Sequence, residues 1–221
     1  MIEIKRPKIC ASITNRDQMA IREVKPLVEL FEVRIDLIGD GWQEIVKQLE
    51  KPWIACNRIK DEGGSWKDSE ARRKEALLKA IRLGADIVDI EMSTTNLESV
   101  VAIIKKSARC LISHHELEKT PTFESLKNIV KRQLAAGADI CKVVTTAQNF
   151  ADNLTILNLI REFPKTNIVA FAMGSIGLPS RIFCPFVGSN FTYAAIGKGA
   201  ESAPGQVTAA ELYNLYQMVN Q

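Results

Sequence analysis

Short apolar stretches alternate along the chain with longer segments in which apolar residues recur at helical spacing. The short stretches are rich in β-branched residues and end at turn residues, which is typical of buried strands. We predict strands at 8–14, 31–37, 53–58, 87–91, 110–115, 138–145, 168–173 and 191–196. We predict a helix capped by Asn15 or Asp17, and further helices at 42–49, 69–83, 96–106, 122–136, 150–163 and 208–218.

This alternation continues over almost the whole chain without a linker. Strands that alternate with helices form parallel sheets, and about eight repeats in 221 residues favour a closed (β/α)₈ TIM barrel. The sequence therefore predicts an α/β protein with a single barrel domain over residues 1–221. A doubly wound open sheet is the alternative, although no glycine-rich dinucleotide turn follows the first strand.

Charged residues share one face of several predicted strands. Side chains alternate between faces, so in segment 31–37 the charged residues lie opposite four apolar ones, and two acids of segment 87–91 share a face. These charges would point into the barrel, where burial requires them to pair. A structural ion-pair network is the alternative to a functional site, although it does not explain a lysine flanked by apolar residues. The residues concerned are Glu32, Arg34, Asp36, Arg58, Asp89, Glu91 and Lys142.

Lys142 lies in the middle of the apolar strand 138–145. Burial can lower the pKa of a lysine by roughly 3–5 units, and a neutral amine attacks carbonyl groups to form a Schiff base. A lysine at a sheet edge that reaches water is the alternative. By alternation, His115 faces the barrel lumen whereas His114 packs outward. An amine and an imidazole at one barrel mouth would supply a nucleophile and a general base.

Composition excludes several other classes. The net charge is +3 and no block of like charges occurs, so a nucleic-acid partner is not expected. The five cysteines and two histidines form no metal-ligand motif, and such cysteine usage fits a reducing cytoplasm. The first residues lack the apolar core of a signal peptide, and no apolar run is long enough for a membrane span.

Several motifs in order carry a family resemblance. They are Glu32-Val33-Arg34-Ile35-Asp36, Arg58 with Glu62-Gly63-Gly64, His115 before Lys119-Thr120-Pro121, Lys142, Pro179-Ser180-Arg181, and Ser202-Ala203-Pro204-Gly205-Gln206. With these residues the chain resembles the type I 3-dehydroquinate dehydratases of the shikimate pathway, which serves aromatic amino-acid biosynthesis. The resemblance implies a homodimeric TIM barrel that needs no metal and no cofactor.

The resemblance also implies a reaction. The substrate is 3-dehydroquinate and the product 3-dehydroshikimate. Lys142 would form an imine with the C3 ketone. His115 would remove the C2 proton and later protonate the departing C1 hydroxyl, and Glu62 would orient His115.

The remaining motif residues are implied to hold the substrate. Arg181 would bind the carboxylate with two hydrogen bonds, and Ser202 and Gln206 would assist from a loop over the site. Glu32 and Arg58 would hold ring hydroxyls. Three further roles are implied: Arg34 would help to keep the amine neutral, and Ser12 and Met173 would line the pocket.

Two other functions fit parts of the pattern. A class I sugar-phosphate aldolase also builds an imine inside a barrel, but it needs a phosphate cradle, for which Gly197-Lys198-Gly199 is a weak signal. An inactive binding barrel is the second alternative. The presence of Lys142, His115 and Glu62 argues against it.

Overall fold

Eight parallel strands form the centre of the computed structural model, which describes residues 6–219. Each strand pairs with its sequence neighbour and β1 also pairs with β8, so the sheet order runs from β7 down to β1 and then β8. The strands are β1 (Ile9–Ile13), β2 (Leu30–Arg34), β3 (Trp53–Cys56), β4 (Ile87–Glu91), β5 (Arg109–His115), β6 (Ile140–Thr146), β7 (Ile168–Met173) and β8 (Thr192–Ala195).

The barrel closes between β7 and β8. No ladder joins these two strands in residues 6–219, but the Asn190 backbone N–H donates to the Ile168 carbonyl oxygen at 2.9 Å. The order follows the chain around the ring, with no central reversal of the kind found in a doubly wound sheet. The predicted TIM barrel is confirmed.

Helices follow the strands around the outside of the barrel. Asp17, rather than Asn15, caps the first helix, because its Oδ1 accepts from the Met19 and Ala20 N–H groups at 3.0 Å. The helices are α1 (Gln18–Val24), α2 (Ile35–Ile38), α3 (Trp42–Val46), α4 (Glu70–Arg82), α5 (Leu97–Ile104), α6 (Phe123–Ala135), α7 (Ala151–Glu162), α8 (Leu178–Phe183) and α9 (Ala209–Val219).

Two predicted strand ends are wrong. The strand predicted at 31–37 ends at Arg34, and a helical turn begins at Ile35 and stops before Gly39, which has a φ of 66°. The strand predicted at 53–58 ends at Cys56, so Arg58 lies on the following loop. Helix α8 was not predicted, and it carries Arg181.

The barrel interior changes character along the strands. Its lower layer is apolar and includes Leu30, Ile87 and Ile140 near the start of their strands. Two residues further on, Glu32, Asp89 and Lys142 point to the same side because side chains alternate. The predicted inward charges therefore form a buried polar layer above an apolar floor.

The lengths and polarity of the helices can be compared with those of a membrane-spanning segment. Across residues 6–219, every helix is too short or too polar to cross a lipid bilayer. Residues 1–5, which belong to the segment inspected for a signal peptide, lie outside the described part of the chain.

Candidate active site

A cavity of about 250 Å³ opens at the carboxyl ends of the strands, where TIM barrels place their sites. All of the predicted site residues except Ser12 line it. The lining residues from that set are Glu32, Arg34, Arg58, Glu62, His115, Lys142, Arg181, Ser202 and Gln206, and Met173 also lines the cavity.

Lys142 is buried among opposite charges. Its side chain is 6% exposed, and Nζ donates to Asp89 Oδ2 at 2.9 Å and to Glu32 Oε1 at 3.3 Å. Burial is the largest influence and lowers the pKa of Lys142, but Asp89 and Glu32 raise it, and the net pKa lies above its ordinary value. The expectation of a neutral amine is therefore wrong for this state, and Lys142 rests as an ammonium.

Arg34 pairs with Asp36, one of the acids of the predicted ion-pair network. It donates to Asp36 through Nε at 2.9 Å and Nη2 at 2.7 Å, and Asp36 also accepts from the Ser65 N–H at 3.0 Å. Among the cations, Arg58 has the largest lowering effect on the pKa of Lys142. Arg34 lines the cavity, but its guanidinium is paired with Asp36.

Arg58 joins the buried acids of β4. Its Nη2 donates to Asp89 at 2.7 Å, and its Nη1 donates to Glu91 at 2.9 Å and to Ser113 Oγ at 2.6 Å. The backbone of Gly64 packs closely against that of Arg58, so that a Cβ on Gly64 would lie 2.0 Å from the Arg58 carbonyl oxygen. This loop therefore requires glycine at position 64 to place the guanidinium.

The His115 ring is oriented by Glu62. Glu62 Oε2 lies 2.9 Å from His115 Nδ1 and accepts from the His115 backbone N–H at 3.2 Å. Burial, with help from Arg58 and Lys142, holds the pKa of His115 well below its usual value, so the imidazole is neutral. Since ionised Glu62 only accepts, Nδ1 carries the proton and Nε2 keeps its lone pair. His114 points away and pairs with Glu116 at 2.8 Å.

Glu62 itself is set by a tight turn. It ends the 3₁₀ turn Lys60–Glu62, which Gly63 terminates with a φ of 80°. Burial raises the pKa of the Glu62 carboxyl, while Arg58 and a hydrogen bond from Ser93 oppose the rise. Ser93 was not identified from the sequence, because no local pattern links it to a residue on another loop.

Arg181 is a buried cation that forms no salt bridge with any residue between 6 and 219. It is 1% exposed, its guanidinium carbon lies 4.2 Å from the centre of the Phe171 ring, and Nε and Nη2 have no hydrogen-bond partner in the described chain. Burial lowers its pKa to about 10. Unpaired buried donors are costly, so this position favours an anionic ligand.

The loop 202–206 also lines the cavity. Gln206 Oε1 accepts from the Ser202 N–H at 2.6 Å and from its hydroxyl at 3.1 Å. Ser12 is fully buried and does not line the cavity, contrary to expectation. It supports the site from behind, because its Oγ donates to Glu32 at 3.0 Å and accepts from Gln206 Nε2 at 3.5 Å.

Two further groups lie beside Lys142 that the sequence motifs do not indicate as site residues. The Tyr193 ring centre lies 4.3 Å from Lys142 Nζ, a cation–π distance, and assigning strand faces in 191–196 would have indicated it. The sulfur of Cys56 lies within 4.8 Å of oxygens of Glu32 and Asp89, a grouping that could hold a metal ion. Both carboxylates already bind Lys142, and Asp89 also binds Arg58, so side-chain cations occupy this position.

The sequence model of the type I 3-dehydroquinase family matches residues 9–221. The chain belongs to this family. It is 45% identical over 217 residues to a 3-dehydroquinate dehydratase of Dehalococcoides mccartyi, covering 98% of both chains. A 3-dehydroquinate dehydratase of Methanococcus maripaludis is 35% identical over 220 residues, covering 96% of this chain and all of the relative.

Solved structures agree with the family assignment. The type I 3-dehydroquinate dehydratase of Clostridium difficile superposes with a TM-score of 0.84 at 26% identity, covering 98% of this chain and 93% of that one. The expected family, fold and enzyme class, a type I 3-dehydroquinate dehydratase, are confirmed. Family membership favours dehydration over the sugar-phosphate aldolase alternative.

Proposed function

We propose that the protein converts 3-dehydroquinate into 3-dehydroshikimate through an imine on Lys142. One observation carries the proposal: the Lys142 amine, the His115 ring held by Glu62 and the unpaired Arg181 guanidinium line one cavity. A nucleophile, a proton-transfer group and a carboxylate receptor are what such a dehydration needs.

Substrate binding would use the unpaired donors first. The carboxylate would accept two hydrogen bonds from Arg181, and Ser202 and Gln206 would close over it. The ring hydroxyls would then meet Glu32 and Arg58. Binding in this way places the substrate carboxylate beside the buried Arg181 guanidinium. The carboxylate then supplies the hydrogen-bond acceptors that Arg181 lacks in the free protein.

Imine formation requires Lys142 to lose a proton. His115 is neutral and is the group we assign to accept it. The free amine forms a bond to C3 to give a carbinolamine. His115 then returns the proton to the carbinolamine oxygen, which leaves as water, so that a positively charged iminium and a neutral His115 remain. Tyr193 offers its ring face to this cation, as it does to the ammonium.

Elimination then follows from the charge on the iminium. His115 removes the C2 proton, and the electron pair moves into the iminium to give an enamine. The enamine returns the pair to expel the C1 oxygen, which His115 protonates so that it leaves as water. Hydrolysis of the product imine consumes the water released when the first imine formed, so the net reaction releases one water.

A relative is known in a covalently modified form, which supports covalent chemistry in this family. The structure of the Clostridium difficile enzyme contains covalent modified comenic acid. An imine-forming lysine in a carboxylate-binding cavity offers this reactivity to keto acids. We also propose that this reaction belongs to the shikimate pathway of aromatic amino-acid biosynthesis, and membership of the type I 3-dehydroquinase family supports this.

The test is the ultraviolet absorbance of the conjugated enone product. We expect activity at neutral pH in the wild-type protein, and in Lys142→Met a kcat below about a thousandth of wild type. Lys165→Met, an exposed lysine, is the matched control. Full activity in Lys142→Met would refute the imine. A folded wild-type protein without activity would favour the inactive barrel, and cleavage of only a sugar phosphate would favour the aldolase.

We also propose a homodimer, as the family resemblance implies. Four large apolar side chains are exposed on or beside α7 and α8, namely Phe150, Leu154, Ile176 and Phe183. A second copy would cover such a patch. We expect sedimentation to give a dimer that Leu154→Lys dissociates, whereas Met19→Lys, changed at an exposed site on α1, leaves it intact. A monomeric wild-type protein would contradict the proposal.

A cytoplasmic setting is the last part of the proposed function. All five cysteines are free and buried, which fits a reducing compartment. Fractionation of the source cells should place the protein with cytoplasmic markers. Recovery outside that fraction would contradict the proposal.

A further inference from the structure

The two oxygens of the Glu62 carboxylate have separate partners. Oε2 faces His115, at 2.9 Å from Nδ1. Oε1 accepts a hydrogen bond from the Ser93 hydroxyl at 2.8 Å. Ser93 lies on the turn after β4 and does not line the cavity, so it reaches the reaction only through Glu62.

The turn that carries Ser93 is fixed on both sides of it. The Met92 N–H donates to the Ser113 carbonyl at 2.8 Å, and the Thr94 N–H donates to the Glu91 carbonyl at 3.0 Å. The Thr94 hydroxyl also accepts from Arg73 Nη2 at 3.1 Å. The Ser93 hydroxyl is therefore presented to Glu62 by a held backbone, although Ser93 itself is exposed.

A carboxylate held at one oxygen only can rotate about its terminal bond, since that torsion is broad. The bond from Ser93 restrains this rotation and keeps Oε2 in line with the imidazole. It also favours the ionised carboxyl, which is the form that accepts a hydrogen bond from the Nδ1–H group of His115. Ionised Glu62 fixes the tautomer that leaves Nε2 of His115 as the base.

We propose that Ser93 is a positioning residue for the reaction, one that aligns the Glu62 carboxylate and, through it, the His115 ring. The inference rests on the proposed function, in which His115 moves the protons. Ser93 would orient the acid–base pair from outside the cavity, and substrate binding would not involve it.

The kinetic test compares three variants across the pH range. Ser93→Ala should lower kcat about tenfold, move the acidic limb of the kcat profile up by about half a pH unit, and leave KM within about twofold. Ser93→Thr keeps a hydroxyl and should restore most of the loss. Thr95→Ala removes a neighbouring exposed hydroxyl without a hydrogen-bond partner in the described chain, and should match wild type.

A second experiment, ¹⁵N spectroscopy of the His115 ring, separates an effect on the orientation of this ring from a general effect on folding. The chain has two histidines, so a His114→Gln background leaves one ¹⁵N-labelled ring. We expect the Nδ1-protonated tautomer when Ser93 is present and a mixture of tautomers in Ser93→Ala. An unchanged tautomer, or a kcat profile of Ser93→Ala that superimposes on wild type, would overturn the proposal.

The kinetic and spectroscopic experiments together distinguish failure of the Ser93 inference from failure of the proposed function. If the wild-type protein forms no enone product, the proposed dehydration fails, and the ring tautomer still decides whether Ser93 orients His115. If wild type is active and Ser93→Ala loses no more than Thr95→Ala, the inference fails alone.

Discussion

At the scale of single residues, Lys142 and Asp89 form the central pair of the site. Their atoms lie 2.9 Å apart although 53 positions separate them in the chain. The strand pattern predicted a buried lysine correctly, but its charge depends on acids brought in by other strands. That is why burial alone gave the wrong protonation state.

Replacing the acid tests this account of the lysine. In Asp89→Asn we expect the pKa of Lys142 to fall by about one unit or more, because the strongest attraction for its ammonium is removed while Arg58 remains. The measurement is the pH dependence of amine modification by trinitrobenzenesulfonate, quantified on the Lys142 peptide.

Glu91→Gln is the matched control for that experiment. Glu91 binds Arg58 and Arg73 but not Lys142, so its loss should leave the lysine titration unchanged. Each variant breaks a buried ion pair and should cost about 3 kcal/mol of stability, so labelling is done well below both melting temperatures. Equal shifts in the two variants would contradict the specific role of Asp89.

Arg181 gives a second prediction at this scale. Arg181→Gln should raise KM for 3-dehydroquinate about a hundredfold, because the carboxylate loses a two-pronged donor. Arg181→Lys should recover little of it, since a lysine cannot offer the planar fork. Steady-state kinetics measures both, with exposed Arg161→Gln as control. A KM unchanged in Arg181→Gln would show that the carboxylate binds elsewhere.

At the scale of elements, alternation predicted the strands and their inward faces well. It did not predict the break at Ile35, because Ile35-Asp36-Leu37 continues the apolar–polar alternation of a strand. Short α8 also escaped prediction, since six residues that include a proline give little periodicity. These breaks matter, because they place Arg34 beside Asp36 and bring Arg181 to the cavity.

The loop 202–206 is positioned by a close backbone contact. Gly205 has a φ of 75°, and a Cβ there would lie 2.3 Å from the Gly174 carbonyl oxygen, while the Gly174 N–H donates to Pro204. Gly205→Ala should therefore displace Ser202 and Gln206 and raise KM at least about tenfold.

Gly199→Ala is the control for the loop prediction. Gly199 has a φ of 80° but open space around its Cβ position, so it shares the backbone strain of about 1 kcal/mol without the clash. Steady-state kinetics gives the KM of both variants, and we expect the larger increase in Gly205→Ala. A similar KM in the two would mean that backbone strain, and not the contact with Gly174, sets the loop.

At the scale of the whole molecule, the buried site links stability to pH. The pKa of His115 is depressed in the folded protein, while in the unfolded chain it is about 6.5. Below pH 6.5 the unfolded state binds a proton that the folded state does not. The contribution of His115 is therefore fully present above pH 6.5 and is lost as pH falls towards the folded pKa.

Thermal unfolding between pH 7 and pH 5 measures this link. His115→Gln should show a smaller decrease in Tm over that range than wild type. The corresponding difference in the free energy of unfolding is up to about 1.4 kcal/mol per pH unit. His114→Gln removes a partly exposed ring and should keep the wild-type slope. Identical slopes in the two variants would mean that His115 is not neutral when the protein is folded.

The most direct test of the central claim is borohydride reduction during turnover of 3-dehydroquinate, followed by mass spectrometry of the peptides. Reduction converts an imine into a stable secondary amine, so the account predicts one covalent adduct, on the Lys142 peptide, with loss of activity in proportion. Full activity after reduction, or an adduct confined to another lysine, would contradict it.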